Sequence, residues 1–349
     1  MIPDLSLENT KNSIDAFLEG LFVERKQRAA SLGQSYEALW ATIERVAMAG
    51  GKRIRPYLTF LGAGAFDAKM MPVAAAQELI HIAMLMHDDI IDQDFTRHGH
   101  DNVGGEYQKL YGRYLDGVRA RHYSQGAALL AGDILISEAY QLISGSDYDE
   151  KTKQKLTAQL SQSIFDVIGG ELMDVEAGFV NDIEIEPMMV YRYKTASYSF
   201  IGPVLSGAYA AGASAETVEA LRSFATNVGI AYQIQDDLLG VFGNEQQTGK
   251  STLTDIREGK KTLLIKNYEL SLNEERRLFF EAVFGRESSA TDDLQKLKQD
   301  IISSGAKDTT NAAAKRYFDE ACEALELIKG DPRYDRLLEF VNGIRQRNC

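Results

Sequence analysis

His87-Asp88-Asp89-Ile90-Ile91-Asp92 lies inside a mainly apolar stretch, residues 72–91, whose three- and four-residue spacing predicts a helix. Gln233-Ile234-Gln235-Asp236-Asp237-Leu238-Leu239 lies inside a second such stretch, residues 215–241. In a helix Asp88 and Asp92 share one face, so their charges repel unless a cation sits between them. A divalent metal is the candidate cation. Two acidic faces far apart in sequence that close on one cavity would bind several hard cations, which points to a polyanionic substrate such as a diphosphate.

The rest of the chain fits a helical frame. Its 349 residues are 44% hydrophobic with only six prolines, enough for a substantial core and few interruptions. The fold class expected is all-α. Helical patterns cover residues 35–49, 56–66, 72–91, 124–144, 151–168, 187–211 and 215–241, with further helices after Lys260. No proline- or serine-rich linker divides them, so residues 1–349 are expected to form a single domain. Residues 99–126 stand apart, with six glycines among tyrosines and Arg113, Arg119, Arg121 and His122, and read as a loop or flap, with room for a short helix, on the C-terminal side of the first acidic helix.

Composition narrows the partners. A formal net charge of −13 argues against general affinity for nucleic acid or anionic lipid, so an anionic substrate must meet a local basic site. Cys322 and Cys349 are too few and too distant for a disulfide framework, which fits a reducing compartment. The first 21 residues lack a basic start followed by an apolar core, and the expected location is cytoplasmic.

Basic residues cluster where an anion would need them. Gly50-Gly51-Lys52-Arg53-Ile54-Arg55-Pro56 sets three cations after two glycines at a helix break, where backbone amides and side chains together can meet phosphate oxygens. His81 lies two helical turns before Asp88 on the same face, and Arg97-His98 follow the first cluster closely enough to touch a phosphate bridged by its metals. Downstream stand Lys194-Thr195, then Thr248-Gly249-Lys250-Ser251 and Asp255-Ile256-Arg257-Glu258-Gly259-Lys260-Lys261-Thr262. The Gly-Lys-Ser triplet is not a nucleotide phosphate loop, because residue 244 is Asn where that motif needs Gly and a helix precedes it.

In this order the motifs resemble those of the trans-polyprenyl diphosphate synthases, adding Glu78-Leu79-Ile80-His81 and Leu130-Ala131-Gly132-Asp133 to those quoted. The resemblance runs from Gly50 to Thr262. It implies a helical bundle around a deep central cavity, usually a homodimer, that condenses isopentenyl diphosphate with an allylic diphosphate. It implies three magnesium ions assembled with the substrate diphosphate, held directly by Asp88, Asp92 and Asp236 with Asp89 and Asp237 in support. Arg97, Lys194, Lys250 and Lys260 are implied to hold the allylic diphosphate. Thr195 and Gln233 are implied to face the reacting carbocation, and Lys52, Arg55 and His81 to bind isopentenyl diphosphate. No nucleic acid is expected, and at most peripheral membrane contact for product release.

Three departures stand out. His98 replaces the second of two arginines usual after the first motif, and Arg113, Arg119 or Arg121 is the candidate to supply the missing charge. Gly240 stands where a third aspartate is often found, and Glu171 where a glutamine is common after Gly170. Product length depends on depth beneath the first acidic helix. Ala83, five residues or about 7.5 Å before Asp88, is too small to floor the pocket, while Met84 narrows it, so a product of at least twenty carbons is expected. A terpene cyclase of the same fold, or a non-catalytic subunit of a heteromeric synthase, is the alternative; Gly50–Pro56, His81 and the Asp-Asp form of the second motif weigh against the cyclase.

Overall fold

The computed structural model describes residues 5–97, 99–179, 185–243 and 252–346. Apart from one two-residue hairpin, its regular elements are helices. Where sequence composition offered no boundary, the backbone separates into two compact units: Met1–Ser161 with Pro203–Ala213, and Gln162–Gly202 with Ser214–Cys349. The divisions fall inside or at the ends of continuous helices, so no linker composition marks them.

The first unit holds α1 (Leu7–Ala30), α2 (Gln34–Met48), α3 (Ile54–Ala63), α4 (Met71–Ile91), the strands β1 (Thr96–Arg97) and β2 (His100–Asp101), α5 (Val103–Tyr111) and α6 (Gly117–Ser144). The helix α7 (Glu150–Phe179) begins here and continues into the second unit. The 24-residue α1 is absent from the sequence-based assignment because polar residues dilute its apolar stripe; Ile14, Leu18, Leu21 and Phe22 are nonetheless buried on it. Phe22 meets Trp40 of α2 with ring centroids 6.4 Å apart. The segment expected as a flap is mostly helical, since α5 and the first turns of α6 occupy it. Tyr107, Tyr111 and Tyr123 pack there at centroid distances of 4.8 to 5.9 Å, an apolar cluster that the glycine count conceals.

The second unit takes in α8 (Pro187–Val190), a π-helical stretch Tyr191–Ile201, α10 (Ala215–Phe242), α11 (Thr254–Glu258), α12 (Leu263–Glu269), α13 (Glu274–Val283), α14 (Thr291–Ser303), α15 (Ala306–Glu326) and α16 (Tyr334–Arg345). Between the π stretch and α10, α9 (Gly202–Ala210) returns to the first unit. Ile230, Ile234 and Leu238 of α10, Leu264 of α12 and Leu297 of α14 form the centre of this unit's core. Several helix starts follow side-chain chemistry. Ser6, Asn102, Asp116, Ser214, Thr262 and Asn273 each accept a hydrogen bond from the backbone N–H three residues on, satisfying donors that the helix leaves open.

The sequence pattern predicts one helix over 187–211, and helix is found, but its centre is wound with i→i+5 bonds. Gly202 N–H donates to Ser197 O, and the Ser197 hydroxyl takes the Tyr193 carbonyl at 2.5 Å, a bond that competes with the ordinary ladder.

Close backbone contact fixes α3 against α9. A Cβ added at Gly207 would lie 1.9 Å from Thr59 O, and one at Gly62 would lie 2.1 Å from Val204 O. Gly207→Ala is therefore expected to destabilise the chain by about 1–3 kcal/mol through overpacking. Gly20→Ala, on an exposed turn of α1 with nothing within 4 Å, should stabilise it by about 0.5–1 kcal/mol. Urea unfolding curves of the two variants check the pair.

Candidate active site

In the first unit the acidic cluster closes α4. Asp92 caps the helix C-terminally, its N–H donating to Asp88 O at 2.8 Å. Gln93 then adopts a left-handed conformation, φ 58°, and the chain turns into the hairpin that pairs Thr96 with Asp101 and Arg97 with His100. Asn102, 2% exposed, secures this turn from both sides: its Oδ1 accepts from Gly105 N–H at 2.8 Å and its Nδ2 donates to Asp94 O at 2.9 Å. The hairpin thereby brings Arg97 back onto the helix end.

Arg97 is not left open for a diphosphate. Its Nε donates to Asp89 Oδ1 at 2.8 Å and its Nη2 to Asp88 Oδ2 at 2.9 Å. The three aspartates differ accordingly. Asp89 is buried, and burial raises its carboxyl above the usual range despite the opposing pull of Arg97. Asp88 is half-buried and Asp92 exposed, so the i, i+4 pair is the accessible part of the cluster. His81, Met84, Leu85, Asp88 and Asp92 form an accessible stripe on a helix that is buried from Val73 to Ile80. Ala83 is 0% exposed and, at 100° per residue, points about 140° away from Asp88. The residue one turn before Asp88 on the same face is Met84.

The basic cluster at the start of α3 is divided in the same way. Lys52 is exposed and Arg55 half-buried, while Arg53 is 4% exposed. With φ 52°, Arg53 turns inward, where its guanidinium meets Asp15 at 2.7 Å, Glu78 at 2.9 Å and Ala47 O at 2.8 Å. Arg53 is thus a structural ion-pair centre, which corrects its expected place among the substrate ligands. Glu78 of the Glu-Leu-Ile-His motif is its partner. Of the three flap arginines, Arg119 is engaged by Asp116 at 2.7 Å and Arg113 lies over Tyr114. Arg121 alone of them lies over Phe95, two residues before Arg97. His98 and Lys250 lie outside the described residues.

Gly132 explains the Leu-Ala-Gly-Asp motif. A Cβ there would fall 2.1 Å from Nε2 of His87, so glycine is what lets α6 receive this histidine, 3.3 Å from Leu129 O.

In the second unit Lys194 and Thr195 project from the π stretch, which is clamped on two sides. A Cβ at Gly170 of α7 would lie 2.2 Å from Lys194 N, and one at Gly229 of α10 would lie 2.6 Å from Ala196 Cα. Lys194 Nζ sits between Glu171 at 3.0 Å and Asp174 at 2.5 Å. That pairing gives Glu171 a physical role, and it shows Lys194 already neutralised. Thr195 Oγ1 donates to Gln233 Oε1 at 2.7 Å, and Gln233 Nε2 donates to Asp237 Oδ1 at 2.8 Å. The Tyr191 hydroxyl donates to Asp237 Oδ2. Burial pushes the Asp237 carboxyl up to about 7, against the lowering effect of Tyr191 and Gln233. Asp237 is committed to this network; Asp236 beside it is likewise half-buried.

Gly240 has a steric account. A Cβ at that position would lie 2.2 Å from Asp255 Oδ2, so the Asp255 carboxylate occupies the adjoining space. Gly259, φ 73°, ends α11 and returns Lys260 to Asp255, Nζ to Oδ1 at 3.3 Å. Asp174, Asp255, Tyr191 and Asn102 carry these arrangements and were not singled out as site residues from sequence. Asn102 had a local signal, an asparagine opening an apolar helix start, whereas the others depend on distant partners.

Among the described residues no three His, Cys, Asp or Glu converge as a closed metal cage. Magnesium does not require one. It is commonly held by one or two carboxylates and keeps its remaining positions for water and substrate phosphates, which the Asp88 and Asp92 pair fits.

The polyprenyl synthetase family model matches residues 37–301, across both units. The chain belongs to that family. A geranylgeranyl diphosphate synthase of Sulfolobus acidocaldarius is 32% identical over 289 residues, 80% of this chain and 81% of that protein. A geranylfarnesyl diphosphate synthase of Aeropyrum pernix is 32% identical over 291 residues, 80% and 84% of the two chains. The crystal structure of geranylgeranyl pyrophosphate synthase from Corynebacterium glutamicum, complexed with isoprenyl diphosphate and magnesium, superposes with a TM-score of 0.89 at 26% identity, covering 98% of this chain and all of that one. As a member of the polyprenyl synthetase family, the chain is a prenyltransferase.

The division of the basic cluster is testable. Arg53→Ala leaves Asp15 and Glu78 without their buried counter-ion and is expected to cost about 3–5 kcal/mol of stability. Lys52→Ala should leave the urea midpoint in place and raise the Michaelis constant for isopentenyl diphosphate.

Proposed function

We propose that this chain condenses isopentenyl diphosphate head-to-tail (1'-4) with an allylic diphosphate, giving an all-trans polyprenyl diphosphate of at least twenty carbons. The observation that carries this reading is the accessible face of α4, where His81, Asp88 and Asp92 follow one another on a helix otherwise buried from Val73 to Ile80. The geranylgeranyl and geranylfarnesyl synthases among its relatives support the product class.

Asp88, Asp92 and Asp236 hold the magnesium ions, three in number, with the substrate diphosphate; Asp89 and Asp237 act behind them by positioning Arg97 and Gln233. Bound magnesium supplies positive charge to the departing diphosphate as the allylic bond ionises. Lys194, Arg97 and Lys260, with Lys250, bind the same diphosphate. Thr195 and Gln233 offer neutral oxygens toward the allylic cation, which they stabilise without a covalent bond. Lys52, Arg55 and His81 orient isopentenyl diphosphate so that its double bond attacks that cation. The departed diphosphate takes a proton from the carbon beside the resulting cation, and that C–H electron pair forms the new double bond of the product. Arg121, beside Phe95, is the arginine placed to supply the charge that His98 does not.

The chain acts as a cytoplasmic homodimer. Phe165, Ile168 and Leu172 of α7 are 76%, 56% and 67% exposed at three- and four-residue spacing, an apolar stripe that supports self-association. α6 is, among the described residues, the one helix long and apolar enough to cross a bilayer, but it buries Ala128, Ala131, Leu135 and Ala139 in its own unit's core. Membrane contact is therefore peripheral, for product release.

Incubating the chain with magnesium, labelled isopentenyl diphosphate and ten-, fifteen- or twenty-carbon allylic primers tests the activity; incorporation is expected, and none from any primer defeats the reading. Ala83→Phe should shorten the longest product by at least one five-carbon unit on reversed-phase chromatography, and Met84→Phe, beside it, should do the same. Glu171→Gln removes one of the two anions on Lys194 and should lower the allylic Michaelis constant by about two- to five-fold, an effect of the size expected for one partly exposed charge contact.

A further inference from the structure

The Tyr191 hydroxyl makes two bonds that fix its direction. It accepts from Leu263 N–H at 2.8 Å, so its own proton goes to Asp237 Oδ2. Leu263 is the first residue of α12, and its N–H is one of the donors that no carbonyl of that helix can reach. The phenol therefore joins three elements, the π stretch, α10 and α12. It is 4% exposed.

What lies at the far end of this chain is a question of sign. With Oδ2 of Asp237 taken by Tyr191, Oδ1 receives the Gln233 Nε2, and the amide is held with its carbonyl toward Thr195. The Thr195 proton is then used on Gln233 Oε1, leaving the hydroxyl oxygen with only lone pairs to present. A side-chain amide has two nearly isosteric orientations. If Gln233 turned over, its NH2 would face Thr195, the hydroxyl would become the acceptor, and its proton would point outward. The same two side chains would then present positive edges where negative ones stood.

We infer that Tyr191 is a positioning residue: through Asp237 it locks the Gln233 amide so that Thr195 and Gln233 both present acceptor oxygens to the developing allylic cation. This rests on the prenyltransferase reading and deepens it. Tyr191 touches no reacting atom. Its contribution appears in the chemical step, because an oriented oxygen stabilises charge that exists only as the allylic bond breaks.

The test is a double-mutant cycle on the full chain. Tyr191→Phe is expected to lower kcat about ten-fold, the scale of one hydrogen bond to a charged group, with both Michaelis constants changed less than about two-fold. In a Gln233→Ala background the same substitution should lower kcat no further, although its effect on the unfolding temperature persists. An unchanged kcat with a lowered unfolding temperature would show Tyr191 to be structural only and overturn the inference. Losses that multiply in the double variant would overturn it as well, since Tyr191 would not be acting through Gln233. Should Tyr191→Phe not fold, Leu263→Pro removes the anchoring N–H at a first helical position that tolerates proline. A several-fold fall in kcat supports the inference, and a wild-type kcat rejects it. A wild-type chain that elongates no primer defeats the function itself and this inference with it, whereas an active wild type with an indifferent Tyr191→Phe defeats the inference alone.

Discussion

Carboxylates in the last turns of a helix meet the negative end of the backbone dipole, where acidic side chains are least favourable. Asp88 and Asp89 occupy that place on α4, and Asp236 and Asp237 stand within two turns of the end of α10. Each cluster therefore carries a charge problem that its surroundings must answer, and the two answers differ. On α4 a guanidinium is returned by a hairpin whose turn is held by Asn102. On α10 neutral donors, Tyr191 and Gln233, surround Asp237 while burial raises its carboxyl. In both cases the second aspartate of the pair is absorbed into the scaffold.

The helical class and most helix positions could be read from apolar spacing, because α2 to α4, α6 and α10 bury regular stripes. The acidic clusters, Lys194, Thr195, Gln233 and Lys260 could be read too, since a charged or amide side chain in an apolar run is conspicuous on its own. What escaped was relational. Nothing in the local sequence says that Arg53 turns inward, because its direction follows from a positive φ that non-glycine residues seldom adopt. The loop expected over 99–126 was a matter of glycine count outweighing a tyrosine cluster that forms only in three dimensions.

The π-helical stretch ties these themes together. Lys194 and Thr195 project from a segment whose bonding is looser than that of an α-helix and which is held between Gly170 and Gly229, where there is no room for even one methyl group. Backbone contact substitutes for side-chain packing there, so an intrinsically poor helix form is kept in one conformation. Two glycines that look like helix breakers in the sequence are what let the neighbouring helices close on this segment.

The ion pair between Arg97 and the α4 aspartates has a consequence for the order in which ligands arrive. On the proposed reading, a divalent cation taking Asp88 would release the guanidinium, and a phosphate taking the guanidinium would release Asp88. Each ligand would thus remove the competitor of the other, and by linkage the favour would be mutual and equal in free energy. Metal and diphosphate would then be cooperative through a single arginine.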